Sequence, residues 1–140
     1  MIILSIDYGE ARTGVAICDR DEMLARPLCV LRERSMEKLV EKIAARAADE
    51  GAQMIVVGLP RNMDGSLGPK AQICAELAAR LESATGLKTE MYDERLTTVM
   101  AHRALNEVNV RGKKRKNTVD AVAAVMILED FLRLRSSERG

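Results

Sequence analysis

The chain opens on a short apolar run that ends on a carboxylate. Residues 2–6 are Ile, Ile, Leu, Ser and Ile, and Asp7 and Gly9 follow. A run this short and this rich in isoleucine predicts a strand buried on both faces of a sheet. Asp7 then lies at the carboxyl end of the strand, where ligands bind in open α/β sheets. A turn would also explain Asp7, because Asp and Gly both favour turns.

Two more apolar segments, Val15–Cys18 and Leu28–Leu31, follow the first strand with turn residues between them. This order predicts an antiparallel meander that includes the first strand. Ser35 is a suitable N-cap for a helix that ends near Gly51. The strand predicted next, Met54–Gly58, is fully apolar, and a helix followed by a buried strand predicts a crossover to a parallel neighbour.

The second half of the chain predicts three helices and one more strand. A helix is expected from about 68 to 85, and its apolar stripe consists of Ile73, Leu77, Ala78 and Leu81. Weak alternation at 88–92 predicts a strand, and Thr97 or Thr98 can cap a helix that runs through Leu105. A strongly apolar helix is predicted from 117 or 118 to about 135.

Asp120 stands on the apolar stripe of this last helix. The positions at helical spacing from it are all apolar: Ala123, Ala124, Ile127, Leu128, Phe131 and Leu134. A carboxylate on the core-facing side of a helix is costly unless it is paired, hydrogen-bonded or bound to a cation. The alternative is that Asp120 is the N3 partner of an Asn117 cap.

Glu94 follows the strand predicted at 88–92, much as Asp7 follows the first strand. Two parallel strand ends and one helix start can bring Asp7, Glu94 and Asp120 to one sheet edge. Carboxylates without His or Cys select Mg²⁺ or Mn²⁺, and two such ions about 4 Å apart can clamp a phosphodiester during hydrolysis. These three acids are therefore the predicted metal ligands and catalytic residues, with two ions expected when substrate is bound. As the alternative, Glu94 is a solvated acid favoured by a helix dipole.

Composition narrows the class of protein. A length of 140 residues, with 47% hydrophobic and 31% charged residues, predicts a single globular domain over 1–140. Three cysteines and one histidine show no metal-ligand spacing, which predicts reduced thiols in a cytoplasmic protein without a signal peptide or membrane span. Only 2% of residues are aromatic, which argues against base stacking. With a net charge of +1, attraction for an anionic partner must come from local clusters.

Several residues near the acidic edge are candidates for binding nucleic acid. Four of them follow predicted strands: Arg12, Arg61, Asn62 and Arg95. The others form a basic cluster in the loop before the last helix: Arg111, Lys113, Lys114, Arg115 and Lys116. Each of these has an alternative explanation. Arg12 could form a salt bridge with Glu10 or Asp93, and the 58–65 segment could simply form a turn. Arg95 could offset the negative charge of the nearby acids. A solvated loop would explain the cluster.

Motifs spread along the chain resemble the YqgF family of Holliday-junction resolvase-like proteins. The matching segments are Asp7-Tyr8-Gly9, Arg12-Thr13-Gly14-Val15-Ala16, Val57-Gly58-Leu59-Pro60, Asn62-Met63-Asp64-Gly65, Asp93-Glu94-Arg95-Leu96-Thr97-Thr98, and Val119-Asp120 with Ala123-Ala124. The resemblance runs nearly end to end.

This resemblance implies an α/β ribonuclease-H-like fold, with a five-stranded mixed sheet and helices on both faces. It also implies a cytoplasmic bacterial nuclease that matures the 5′ end of pre-16S ribosomal RNA, with a DNA Holliday junction as the alternative substrate. The matching motif positions carry the family's acidic site onto Asp7, Glu94 and Asp120, with Asp93 as a neighbour. The expected partner is therefore structured RNA or branched DNA, bound by a monomer or a homodimer.

Two other classes of function remain open at this stage. Asp7-Tyr8-Gly9 followed by Thr13-Gly14 also resembles the first phosphate loop of actin-like and sugar-kinase ATPases. Those proteins need a second similar domain, for which 140 residues leave no room. The third class is a nucleic-acid-binding module without catalysis, which only an assay distinguishes from a nuclease.

The basic cluster generates the first testable prediction. Replacing Lys113, Lys114 and Lys116 by Ala should weaken binding to every sequence tested, because phosphate contacts carry no sequence information. Each lost contact should lower the slope of log affinity against log salt by about 0.7 to 0.9, so the slope should flatten by up to about two units. Fluorescence anisotropy at several ionic strengths measures it. An unchanged slope would mean that the cluster is a solvated loop that does not contact phosphate.

Overall fold

The computed structural model describes residues 1–95, 97–101 and 121–139, and a five-stranded sheet forms its centre. The strands are β1 (Ile3–Asp7), β2 (Arg12–Cys18), β3 (Ala25–Arg32), β4 (Met54–Leu59) and β5 (Lys88–Asp93). The helices are α1 (Met36–Glu50), α2 (Pro69–Thr85) and α3 (Val122–Arg139), and residues 98–101 are also helical. The strand order is β3-β2-β1-β4-β5.

The sheet is mixed, as expected. β1, β2 and β3 form the predicted antiparallel meander, and β1 pairs in parallel with β4. β4 pairs in parallel with β5, so the carboxyl ends of β1, β4 and β5 meet at one edge, which we call the carboxyl edge. The edge position of β5 explains the weak alternation of its sequence, since an edge strand is only half-buried.

Helices cover both faces of the sheet, and alternation along β1 shows which residues face each layer. Leu4 and Ile6 pack with the buried residues of α1 and α2 on one face. Ile3 packs with the buried residues of α3 on the other, which we call the α3 face. Ser5 is fully buried, and its hydroxyl donates a hydrogen bond of 2.6 Å to the Ala124 carbonyl. The predicted sheet with helices on both faces is therefore confirmed.

The helix ends follow the expected chemistry. The Ser35 hydroxyl accepts a hydrogen bond of 3.2 Å from the Lys38 backbone N–H, which satisfies one of the free donors at the start of α1. Gly51 ends α1 in the left-handed conformation, with φ of 69°, where a residue without a Cβ is favoured.

Several element boundaries differ from the sequence prediction. β2 begins at Arg12 rather than Val15, and β3 spans Ala25–Arg32 rather than Leu28–Leu31, because ladder hydrogen bonds extend pairing beyond the apolar runs. α3 reaches Arg139 rather than about Arg135.

Two positions predicted to be buried are exposed. Ile73 lies at the edge of the buried face of α2. The residues of that face are Ala71, Cys74, Leu77, Ala78 and Leu81. Leu134 is also exposed, beyond the last residues of α3 that pack on the sheet. The cysteines of the described chain are free thiols, and Cys18 and Cys74 are buried as expected.

Some predictions fall outside the described residues. These are Asp120, the basic cluster at 111–116, the continuation of the helix from 102 to 105, and the start of the last helix at 117 or 118. Among the helices that are described, none is long and apolar enough to cross a membrane.

Candidate active site

Asp7 is the last residue of β1 and lies at the carboxyl edge. It is half-buried and pairs with Gly14 of β2. Side chains alternate between the faces of a strand, so Asp7 lies on the same face as Ile3 and Ser5. This is the α3 face.

Glu94 follows β5 directly and is 1% exposed. Its backbone N–H donates a hydrogen bond of 3.1 Å to the Leu59 carbonyl at the end of β4. Its carboxylate lies over the backbone of Gly58, because a Cβ built on Gly58 would overlap Glu94 Oε2 and come within 2.5 Å of Ile127 Cδ1. Since Ile127 belongs to α3, the carboxylate of Glu94 also lies on the α3 face.

Strand register brings these two acids together. Ile6 pairs with Val57, so the next residues, Asp7 and Gly58, are neighbours on strands about 4.8 Å apart. Because the Glu94 carboxylate lies over Gly58, it extends from β5 across β4 towards β1. The structure thus brings Asp7 and Glu94 to one face of the carboxyl edge, on either side of a residue that has no side chain.

Asp93, the possible neighbour of the acidic site, faces the other way. It pairs with Leu59, whose side chain is in the core beneath α1 and α2. Its carboxylate accepts hydrogen bonds from Arg95 Nε and from Arg95 Nη2, the latter at 2.8 Å, and lies 3.5 Å from Arg61 Nη1. The Arg95 hydrogen bonds hold the pKa of Asp93 below its usual value. This stabilisation is therefore present near neutral pH and is lost as the pH falls through the lowered pKa.

Asn62, predicted to touch substrate, lies in a tight turn after β4. Its backbone N–H donates to the Ser66 carbonyl and its side-chain amide donates to the Ser66 hydroxyl, both at 3.0 Å. The Asp64 carboxylate accepts from the Ser66 backbone N–H at 2.9 Å. The structure thus gives Asn62 a part in building this turn.

Arg12 begins β2 at the carboxyl edge and is half-buried. Ala16 and Cys18 of β2 pack on the α3 face, and Arg12 shares their alternation. An arginine therefore lies on the same face as Asp7 and Glu94.

The side chains at this edge have the chemistry of a hard-cation site. Two of the three predicted ligands, Asp7 and Glu94, offer carboxylate oxygens, which Mg²⁺ and Mn²⁺ prefer. The missing side chain of Gly58 leaves the space that the Glu94 carboxylate occupies. Residues 1–95, 97–101 and 121–139 contain no group of three or more His, Cys, Asp or Glu side chains able to hold a metal, and Asp120 lies outside these ranges.

A family model described as RuvX, Holliday junction resolvase, matches residues 1–134. The chain belongs to this family. It is the family, also called YqgF, whose motifs the sequence resembles. Relatives agree: proteins named "Putative pre-16S rRNA nuclease" are 40% identical over 136 residues in Chloroflexus aurantiacus and 39% identical over 140 residues in Halothermothrix orenii. The matches cover 97% of this chain and 89% of the first relative, and 100% of both chains for the second.

Solved structures of resolvases share the fold of this RuvX-family chain. Thermus thermophilus RuvC in complex with a Holliday junction substrate superposes with a TM-score of 0.59 at 14% identity, covering 97% of each chain. The fowlpox virus Holliday junction resolvase gives a TM-score of 0.56 at 14% identity, covering 96% of this chain and 99% of the other. The fold is therefore the predicted ribonuclease-H-like one.

Sequence reasoning missed the part played by Gly58 in this RuvX-family site. Turn formation was a sufficient explanation for the glycines at 58–65, yet Gly58 lies inside β4, buried and paired with Tyr92. A glycine within an otherwise apolar strand is a signal of close approach by another group. Here the approaching group is the carboxylate of Glu94.

We therefore predict that Gly58→Ala displaces the Glu94 carboxylate. Both atoms that the new Cβ meets are ends of side chains, so the fold should survive with a loss of about 1 to 3 kcal/mol in unfolding free energy. Nucleic-acid cleavage should fall at least about tenfold, because an acid in the site has moved.

Gly51→Ala is the matched control. Gly51 has φ of 69° and nothing near its Cβ position, so alanine there strains only the end of α1, by about 1 kcal/mol. Thermal unfolding and initial cleavage rates measure both variants. Equal cleavage by Gly58→Ala and Gly51→Ala would contradict the assigned part of Gly58.

Proposed function

We propose that this RuvX-family chain is a metal-dependent nuclease, a single domain over 1–140 that hydrolyses phosphodiester bonds at the carboxyl edge. The observation that carries the proposal is the convergence of Asp7 and Glu94 on the α3 face, across Gly58. Asp120 is the third proposed ligand, and what supports it is its position in the chain, two residues before α3 begins.

In this proposal Asp7, Glu94 and Asp120 hold one or two Mg²⁺ or Mn²⁺ ions. Bound ions would polarise the scissile phosphate and activate the attacking water. The carboxylates of Asp7 and Glu94 would hold the ions in a fixed place on the sheet, because ladders of hydrogen bonds join β1 to β4 and β4 to β5. Burial of Glu94 restricts its rotamers, which keeps its oxygens in one orientation.

Arginines beside the acids would balance their charge when nucleic acid binds. The negative carboxylates repel a phosphate backbone, so positive groups are needed close by. Arg12 is a candidate because it lies on the face of Asp7, and the cluster at 111–116 is a second candidate because it shortly precedes Asp120 in sequence.

The proposed substrate is the precursor of 16S ribosomal RNA, cut at its 5′ end in the cytoplasm. The names of relatives that are 39 to 40% identical over nearly the whole chain support it. A Holliday junction is the second candidate, supported by the description of the matching family. A monomer could trim RNA ends, whereas a junction would require two active sites related by twofold symmetry.

We predict that Asp7→Asn lowers cleavage at least about 100-fold, since even a residue that only supports a metal ligand contributes 10- to 100-fold. The variant should stay folded without metal, because removing one of several like charges relieves their repulsion. Cleavage assays should offer both a pre-16S 5′-end fragment and a four-way DNA junction. Wild-type rates for Asp7→Asn on both substrates would overturn the site assignment.

Thermal unfolding with Mn²⁺ is the accompanying measurement. A ligand that binds only the folded state at a hundred times its Kd adds about 2.7 kcal/mol, so wild-type Tm should rise by several degrees. Asp7→Asn should lose this rise and Asp93→Asn should keep it, because Asp93 faces the opposite side of the sheet. ATP should give no comparable rise. Metal binding without cleavage of either substrate would favour a binding module that lacks catalysis.

A further inference from the structure

The two arginines that share Asp93 are held in different ways. Arg95 uses Nε and Nη2 on the Asp93 carboxylate, and its backbone N–H donates to the same group at 3.0 Å. Its Nη1 donates to the Met63 carbonyl at 3.4 Å and lies 3.1 Å from where a Cβ on Gly65 would be. Arg95 is therefore fastened to β5 on one side and to the turn after β4 on the other.

Arg61 is held much more loosely. Among the described residues its side chain makes one ion pair, 3.5 Å from Nη1 to Asp93 Oδ2, and no hydrogen bond. Its Nε is buried and has no hydrogen-bond partner in the described part of the chain, so an incoming anion would meet Nη1 and Nη2 of this side chain, which is 36% exposed. Arginine carries five N–H donors in a planar fork, so this guanidinium retains donors for an incoming anion.

Charge balance points the same way. The carboxylates of Asp93 and Asp64 both act electrostatically on Arg95. Asp93 already accepts four hydrogen bonds from Arg95, so the positive charge of Arg61 is the less compensated of the two. An approaching phosphate would gain more from Arg61 than from Arg95.

The backbone of Arg61 is fixed next to the candidate active site. Its N–H donates to the Leu59 carbonyl at 3.0 Å, and the Glu94 N–H donates to that same carbonyl at 3.1 Å. The turn that follows is closed by Gly65 N–H donating to the Asn62 carbonyl at 2.8 Å. Arg61 thus starts from a preorganised backbone beside Glu94, which lowers the entropy cost of binding.

We propose that Arg61 binds a backbone phosphate of a strand that crosses the carboxyl edge, on the side of the sheet away from Glu94, whereas Arg95 is a positioning residue that fastens the turn carrying Arg61. Asp93 accounts for the difference between the two arginines. It keeps its hydrogen bonds with Arg95, whereas its ion pair with Arg61 breaks when the phosphate binds. This inference rests on the proposed nuclease function, because it requires a nucleic-acid strand at the carboxyl edge.

Arg61→Gln and Arg95→Gln are the matched variants that test it, each made in a Glu94→Gln background so that the probe is not cleaved. The probes are a fluorescein-labelled pre-16S 5′-end fragment and a labelled four-way DNA junction, titrated at several salt concentrations. Arg61→Gln should lower the salt slope by about 0.7 to 0.9, equivalent to one phosphate contact, and change Tm by no more than about 2 °C. Arg61→Lys should restore the slope, because it keeps the charge.

Arg95→Gln should instead lower Tm by several degrees, because it detaches β5 from the turn. Asp93→Asn should lower Tm in the same way while the salt slope is kept, because Arg61 is still present. An unchanged slope in Arg61→Gln, or a loss of slope without loss of Tm in Arg95→Gln, would overturn the assignment. If the wild type cleaves the probes while the variants give one of these contrary results, only the assignment of Arg61 and Arg95 fails and the nuclease proposal stands. A wild type that neither binds nor cleaves the probes would overturn both proposals.

Discussion

The parallel register of β1, β4 and β5 is the constraint on which the candidate site depends. It sets Asp7 beside Gly58 and ends β5 so that Glu94 comes next, with its carboxylate folded back over Gly58. A slip of one residue would move a strand's side chains to the opposite face. Asp93 illustrates the effect of a shift by one residue. It comes one residue before Glu94, and its carboxylate faces away from the site and pairs with Arg61 and Arg95.

Packing on the α3 face keeps this arrangement in place. Ile127 of α3 lies against Gly58, and the Ser5 hydroxyl binds the Ala124 carbonyl near the start of the helix. A buried hydrogen bond of this kind fixes the height of a helix on a sheet more sharply than apolar contacts, which lack direction. The strand that carries Asp7 and the helix that Asp120 precedes are therefore joined two residues from Asp7.

Most of the fold was predictable from the sequence, because buried strands and amphipathic helices leave periodic patterns. The position of Asp7 and Glu94 at one edge of the sheet was also predictable, since each comes at the end of a predicted strand. Gly58 could not be assigned, because only the three-dimensional approach of Glu94 distinguishes it from a turn glycine. The different contacts of Arg61 and Arg95 could not be predicted for a similar reason, since both residues simply follow strands in the sequence. Ile73 and Leu134 were wrongly predicted to be buried, because helical spacing identifies an apolar stripe but not where the stripe meets solvent.

A crystal structure of the wild-type protein grown with Mn²⁺ and measured for anomalous scattering would show whether Asp7 and Glu94 bind the same metal ion. We expect an anomalous peak on the α3 face at the carboxyl edge, about 2.0 to 2.2 Å from carboxylate oxygens of both Asp7 and Glu94. Asp93 should remain with Arg61 and Arg95, away from the peak. A peak coordinated by Asp93 and not by Glu94, or no peak between Asp7 and Glu94 at saturating Mn²⁺, would contradict the account.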